Sequence, residues 1–117
     1  MAVNSRFTLK KNSDFHRLYA RGKSAVSPYL VVYCRKNRGG VSRFGYTVSA
    51  KLGHAVVRNR VRRRLREIVR LNQAVLVPGY DVVIVARSRC VDAKYRKMEE
   101  AYLKAVKKLG LLREDAE

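Results

Sequence analysis

Apolar residues change their spacing several times along this chain, and each change marks an element. Phe15, Leu18 and Tyr19 fall at i, i+3 and i+4 and stop at Gly22, which predicts a short docked helix capped by Asn12 or Ser13. Tyr29-Leu30-Val31-Val32-Tyr33-Cys34 is β-branched and aromatic on both faces, the mark of a strand covered on both sides. Arg35 to Arg43 contains Gly39-Gly40 and predicts a flexible, hairpin-like loop. Phe44 to Ser49 resumes the alternation, with Tyr46 and Val48 on one face and Thr47 and Ser49 on the other. Val57, Val61, Leu65 and Ile68, with Val69 beside them, then recur at one helix face in a segment that runs from Lys51 and fades around Asn72. After the Pro78-Gly79 turn, Tyr80 to Ala86 is an almost unbroken apolar run, as in a central strand. Arg87 to Val91 is a loop. Asp92 is placed to cap a last helix with Tyr95, Met98, Tyr102, Val106 and Leu109 on one stripe and Gly110 as its stop.

The order is therefore α-β-β-α-β-α, an α+β sandwich with a small central mixed sheet. It forms one domain over residues 1–117, with 1–12 as a flexible basic arm and 111–117 as a short tail. If Leu30, Val32, Cys34, Tyr46 and Val48 turn toward the core, Tyr33, Thr47 and Ser49 share the opposite face. That face is half-polar, as a binding groove requires.

Charge changes the picture more than composition does. The 117 residues contain 27 Lys and Arg against 9 Asp and Glu, a net charge of +18, and so call for a polyanionic partner. Residues 1–91 hold 20 of the cations and 3 of the acids, so the partner belongs to the first three quarters of the chain. No apolar run approaches the ~20 residues of a membrane span, and no secretory signal opens the chain. Cys34 and Cys90 lack any ligand spacing and read as free thiols of a reducing cytoplasm.

Residues 51–70 concentrate the charge, with eight cations and one acid, Glu67. The apolar stripe fixes this helix to a core. Arg62 and Arg66 then project on one flank and Arg60, Arg63 and Arg70 across the back, while Arg58 and Arg64 reach outward from the stripe edges. A merely solvated helix mixes signs and gains i,i+4 pairs; this one repels itself unless phosphates neutralise it. Its start is also where the backbone favours anions.

Catalytic chemistry is not legible in the protein. No GxSxG, HExxH or Walker loop occurs, and His16 and His54 lack carboxylate orienters. Asp14, Glu67 and Asp81 fall on separate elements, whereas a two-metal nuclease needs clustered carboxylates. No metal site is expected.

The run Lys51-Leu52-Gly53-His54-Ala55-Val56-Val57-Arg58-Asn59-Arg60-Val61-Arg62-Arg63 resembles the signature of the bacterial ribonuclease P protein subunit, a Lys-x-Gly-x-Ala-Val lead-in followed by an Arg-Asn-Arg helix. The resemblance extends over the whole element order. It implies a left-handed βαβ crossover around the arginine helix, although about 98% of such crossovers are right-handed. It implies catalysis by an RNA subunit that binds most of the Mg²⁺, with one protein per RNA in the cytoplasm. The protein's part is to bind that RNA and the 5′ leader of precursor tRNA, aiding endonucleolytic removal of the leader. Neither DNA nor a membrane is an expected partner. Carried over by position, Lys51, Arg58, Asn59, Arg60, Arg62, Arg63 and Arg66 face the catalytic RNA. Phe15, Tyr19 and Tyr33 match leader-groove aromatics. If their surfaces adjoin, alternation puts Thr47 and Ser49 on the floor of that groove, with Arg17 and Lys51 at its rim. Ala50, where relatives often carry a second basic residue, and Ala86-Arg87-Ser88 depart from the family pattern.

A structural ribosomal or RNA-assembly protein with no role in a nuclease fits the composition and element order equally well. Only the motif context and the aromatic groove separate the two. A DNA-binding role ranks behind both, since the element order offers no helix-turn-helix pair.

Overall fold

The structure is a computed structural model that describes residues 8–9 and 11–113. Its elements are α1 (Asn12–Arg21), β1 (Lys23–Val26), β2 (Leu30–Lys36), β3 (Arg43–Thr47), α2 (Ala55–Leu71), β4 (Tyr80–Ala86) and α3 (Tyr95–Lys108). Single 3₁₀ turns lie at Ala50–Leu52, Gln73–Val75 and Ser88–Cys90. The strands form one mixed sheet in the order β1-β2-β4-β3, with β3 and β4 parallel and the other pairs antiparallel.

Alternation gives the sheet two faces of different fate. Leu30, Val32 and Cys34 of β2, Phe44 and Tyr46 of β3, and Val82, Ile84 and Ala86 of β4 turn to one side. There they meet Val61, Leu65, Ile68 and Val69 of α2 and Met98, Tyr102 and Val106 of α3 in the main core. Val57, expected on the same stripe, is only half-buried because it lies in the first turn of α2. The other face carries Tyr33, Val83 and Gly45 in one cross-strand row beneath α1, where Val83 joins Leu18 and Leu9 in a second, smaller cluster.

The hydrogen-bond ladder fixes the hand of the β3-α2-β4 crossover. Asn37 N–H donates to the Gly79 carbonyl (2.8 Å) and Arg87 N–H to the Tyr29 carbonyl (2.9 Å). Odd-numbered residues of β4 therefore aim their peptide groups at β2, and their side chains face α1. For L-amino acids this places β4 to the left of β3 when both point upward with α2 in front. The crossover is left-handed, as the family resemblance implies and against the usual preference.

Several local expectations give way. Lys23–Val26 is a strand that periodicity does not reveal, because Ala25 is its only buried residue. The loop after β2 is not a hairpin: β4 lies between β2 and β3. Nor is it a loose tether. The Asn37 side-chain amide donates to the Val41 carbonyl and to Asp81 (both 2.9 Å), and its oxygen accepts from the N–H groups of Gly39 and Gly40. Lys11 and Lys94, not Asn12, Ser13 or Asp92, occupy the N-cap positions of α1 and α3, and no side chain caps either helix. The arginine helix begins at Ala55 rather than Lys51, because Gly53, at φ 143°, separates it from the preceding turn.

The described parts of the expected arm and tail are tied into the fold. In the basic arm, Thr8 bridges Phe44, and Leu9 is buried with its N–H on the Phe44 carbonyl (2.9 Å). In the tail, Leu111 is buried and Arg113 donates to the carbonyls of Val75 and Leu76. The rest of the expected arm, residues 1–7 and 10, and tail residues 114–117 lie outside the described residues.

Candidate nucleic-acid interface

Helix α1 is too short to cover its face of the sheet. Phe15 presses on Gly45, where a Cβ would lie 2.7 Å from the ring's Cζ, so only glycine lets the helix approach this closely. Tyr19 sits on the flank of α1. Its ring meets Tyr33 edge-on (centroids 5.0 Å apart, 70°), and its hydroxyl hydrogen-bonds the Thr47 Oγ1 at 2.7 Å. Beyond Tyr19 the next cross-strand row, Val26, Val31, Val85 and Thr47, has no helix over it. Val26 is 63% exposed and Tyr19 39%, while Val31, Val85 and Thr47 are half-buried, so this row with its aromatic wall is a partly open strip. At ~4.8 Å per strand it spans about 14 Å from β1 to β3. An apolar floor beside phenol rings suits stacked bases and has few donors to read their edges.

The residues expected in this groove divide. Tyr19, Tyr33 and Thr47 come together as the wall and one end of the floor. Phe15 is half-buried against Gly45 and the Leu9–Leu18–Val83 cluster, so packing claims much of its ring. Ser49 does not share the face of Thr47. The strand ends at Thr47, and the Ser49 hydroxyl accepts from the Lys51 N–H (3.1 Å), capping the turn. Arg17 lies about 200° around α1 from both Phe15 and Tyr19, at ~100° per residue, and so occupies the solvent back of the helix rather than the rim. The basic side chain on the Tyr19 flank is His16, about 100° from Phe15. The opposite flank holds Asp14, close enough to Arg43 to favour its charge. Val26, Val31 and Val85 were the residues missed. For Val31 and Val85 the signal was present: β2 and β4 are apolar on both faces, and a helix with three apolar positions cannot cover the second one; Val26 lies on β1, which periodicity does not reveal.

On α2 the buried stripe fixes where each arginine goes. Arg62 and Arg66 share the flank facing β3, where Arg66 lies near Tyr46; burial nevertheless raises the Tyr46 phenol pKa. Arg60 and Arg64 reach the opposite flank, donating to the carbonyls of Val91 (3.5 Å) and Ala93 (3.3 Å). Arg63 and Asn59 lie across the back, and Asn59 accepts from Arg62 at 3.4 Å. Arg58 differs from the rest of its triplet. It is half-buried at the stripe edge, and its Nε is buried without a hydrogen-bond partner. Lys51, Asn59, Arg60, Arg63 and Arg66 are exposed. Glu67 pairs with Arg70 at 2.7 Å, and that hydrogen bond holds its carboxyl below the usual range. Among the described residues no acid pairs with Arg58, Arg60, Arg62, Arg63 or Arg66.

The remaining chemistry is structural. Asp81 accepts two hydrogen bonds from Arg43 (2.9 and 2.8 Å) and one from Asn37 (2.9 Å), tying β3, β4 and the loop between β2 and β3 together. Asp14, Glu67 and Asp81 stay on separate elements, and among the described residues no three His, Cys, Asp or Glu side chains converge to hold a metal ion. Burial pushes the Cys90 thiol up to about 11 and raises Cys34, so neither is an activated nucleophile. No described helix is long and apolar enough to cross a membrane.

A largely unpaired arginine helix on one side of a sheet, with a partly open aromatic and apolar strip on the other, gives this α+β protein a surface suited to a polyanion. The family model of Ribonuclease P matches residues 3–110. The chain is 43% identical over 112 residues to the ribonuclease P protein component of Clostridioides difficile, covering 95% of this chain and 98% of that one. It is 43% identical over 104 residues to that of Alkaliphilus oremlandii, covering 89% and 91%. The RNase P protein of Staphylococcus aureus superimposes with a TM-score of 0.83 at 30% identity over 92% of this chain and 98% of that one. That of Thermotoga maritima does so with 0.76 at 34% over 83% and 92%. This chain belongs to the ribonuclease P protein component family. The family is that of a subunit of a tRNA-processing endoribonuclease, a ribonucleoprotein whose other part is the ribonuclease P RNA.

Proposed function

We propose that this protein binds the catalytic ribonuclease P RNA through α2 and holds the 5′ leader of precursor tRNA in the strip beside α1. One observation carries the reading: among the described residues Arg58, Arg60, Arg62, Arg63 and Arg66 of α2 have no acidic partner, only Arg70 being paired, so most of the helix charge is left for phosphates to neutralise. Lys51, Asn59, Arg60, Arg63 and Arg66 make that contact, with the half-buried Arg58 and Arg62 at its edges. The leader, a single strand, stacks on Tyr19 and Tyr33 over Val31 and Val85, with Thr47 fixing the Tyr19 ring.

In this reading the protein aids removal of the leader by positioning. Binding the RNA and the leader together places the leader junction at the RNA's reacting centre, and no protein side chain enters the reaction. The described residues do not fit a Mg²⁺ site, because Asp81 and Glu67 are already held by arginines and lie apart. The ion belongs to the RNA. The complex has one protein per RNA and works in the cytoplasm.

The test is reconstitution. Added to a bacterial ribonuclease P RNA at low Mg²⁺, the protein increases the rate of leader removal. Replacing Arg60 by Ala lowers the log–log salt slope of RNA binding by about 1. RNA binding with no gain in leader removal would instead indicate an assembly protein, and equal salt slopes would remove Arg60 from the phosphate contacts.

A further inference from the structure

Val56 is the most exposed large apolar side chain among the described residues, at 81%. A valine alone on a surface ordinarily needs no account. This one stands at the N-terminal end of the cationic face, as the second residue of α2. At ~100° per residue it lies within about 60° of Asn59, Arg60 and Arg63, and opposite Leu65 of the buried stripe. Nothing inside the protein compensates for it there. A β-branched residue loses χ1 freedom in a helix, and its methyl groups meet water rather than arginine stems.

A phosphate offers a valine no favourable contact. An A-form duplex offers little more, since its major groove is deep and narrow and its minor groove is lined with hydroxyls. The apolar faces of RNA become available where a nucleoside is unstacked, in a loop, bulge or junction. We infer that the catalytic RNA presses an unstacked nucleoside against Val56, next to phosphates held one and two turns further along by Arg60 and Arg63. The inference rests on the reading of α2 as the catalytic-RNA face. It adds a contact that does not depend on charge and that selects an irregular RNA element over uniform duplex. Arginines alone supply attraction to any RNA; the valine supplies discrimination.

The test compares Val56→Ala with the unsubstituted protein, each binding ribonuclease P RNA and a plain RNA duplex over a range of salt. Each buried carbon lost is worth about fourfold in affinity. The substitution therefore weakens binding to ribonuclease P RNA by between about four- and fifteen-fold. The salt slope stays the same, because no phosphate contact is lost. Duplex affinity does not change, and the melting temperature holds or rises, since Ala is the better helix former. Unchanged affinity for ribonuclease P RNA, an equal loss on duplex, or an altered salt slope would each overturn the inference. Arg60→Ala, run alongside, separates the two levels: if it leaves the salt slope on ribonuclease P RNA unchanged, the assignment of α2 itself has failed.

Discussion

The two faces of this sheet are built from the same residue types and end differently. Toward α2 and α3, the apolar side chains of β2, β3 and β4 are sealed under two helices of 17 and 14 residues. Toward α1, a helix of 10 residues buries Val83 and Gly45 but leaves Tyr33, Val31, Val85 and Thr47 half-exposed and Val26 open. The sealed face holds the molecule together and, through the stripe of α2, anchors the arginines. On the open face, apolar surface that folding could have buried stays available to a ligand. Substitutions on the sealed face should therefore be read in thermal melts, and those on the open face in RNA binding.

The largest effect expected is on the sealed face. Leu65, 1% exposed in the middle of the α2 stripe, costs roughly 2–5 kcal/mol of stability when replaced by Ala. A melt of the free protein that barely moves would mean that α2 is not the lid of the core. Gly45→Ala tests the hinge between the two regimes. Its Cβ would collide with the Phe15 ring and crowd Leu9, lifting α1 at a cost of about 1–3 kcal/mol and disturbing the strip with it. Stability and leader affinity should fall together for this variant, and a normal melt with a normal leader response would break the proposed dependence of the groove on α1.

Tyr19→Ala carries the contrast to the open face. It removes a stacking surface and the hydrogen bond to Thr47, so precursor tRNA binds the holoenzyme more weakly by about 1–3 kcal/mol. Mature tRNA, lacking the leader, binds as before. Phe15→Ala weakens precursor binding similarly but also lowers the melting temperature, because Phe15 is packed against Gly45. Equal losses on precursor and mature tRNA would return both rings to a purely structural role. The smallest effect is expected at Arg63→Ala, which leaves the free protein within about 0.5 kcal/mol of its original stability while weakening RNA binding. If it melts as badly as Leu65→Ala, the wrong face of α2 has been placed outward.

Much of this was legible without coordinates. The spacing of Val61, Leu65, Ile68 and Val69 gave the buried side of α2 and so the exposure of Arg60, Arg63 and Arg66, because a helix of fixed pitch ties every position to every other. The alternation in Tyr29–Cys34 likewise put Tyr33 opposite Leu30, Val32 and Cys34. Short-range rules reached that far and stopped where partners are distant in sequence. Whether β2 pairs with β3 or with β4 depends on contacts some fifty residues apart, and the apparent hairpin dissolved when β4 took the place between them. Ser49 left the groove because the strand ended two residues earlier, where its hydroxyl was more useful to the Lys51 N–H than to a sheet face. The open row of Val26, Val31, Val85 and Thr47 needed all four strands in register and the length of α1 laid across them. Sequence by itself determined which side chains are apolar, which are charged and which share an element. Tertiary structure alone decided which apolar surface would run out of cover, since burial depends on the shape and reach of whatever packs against it.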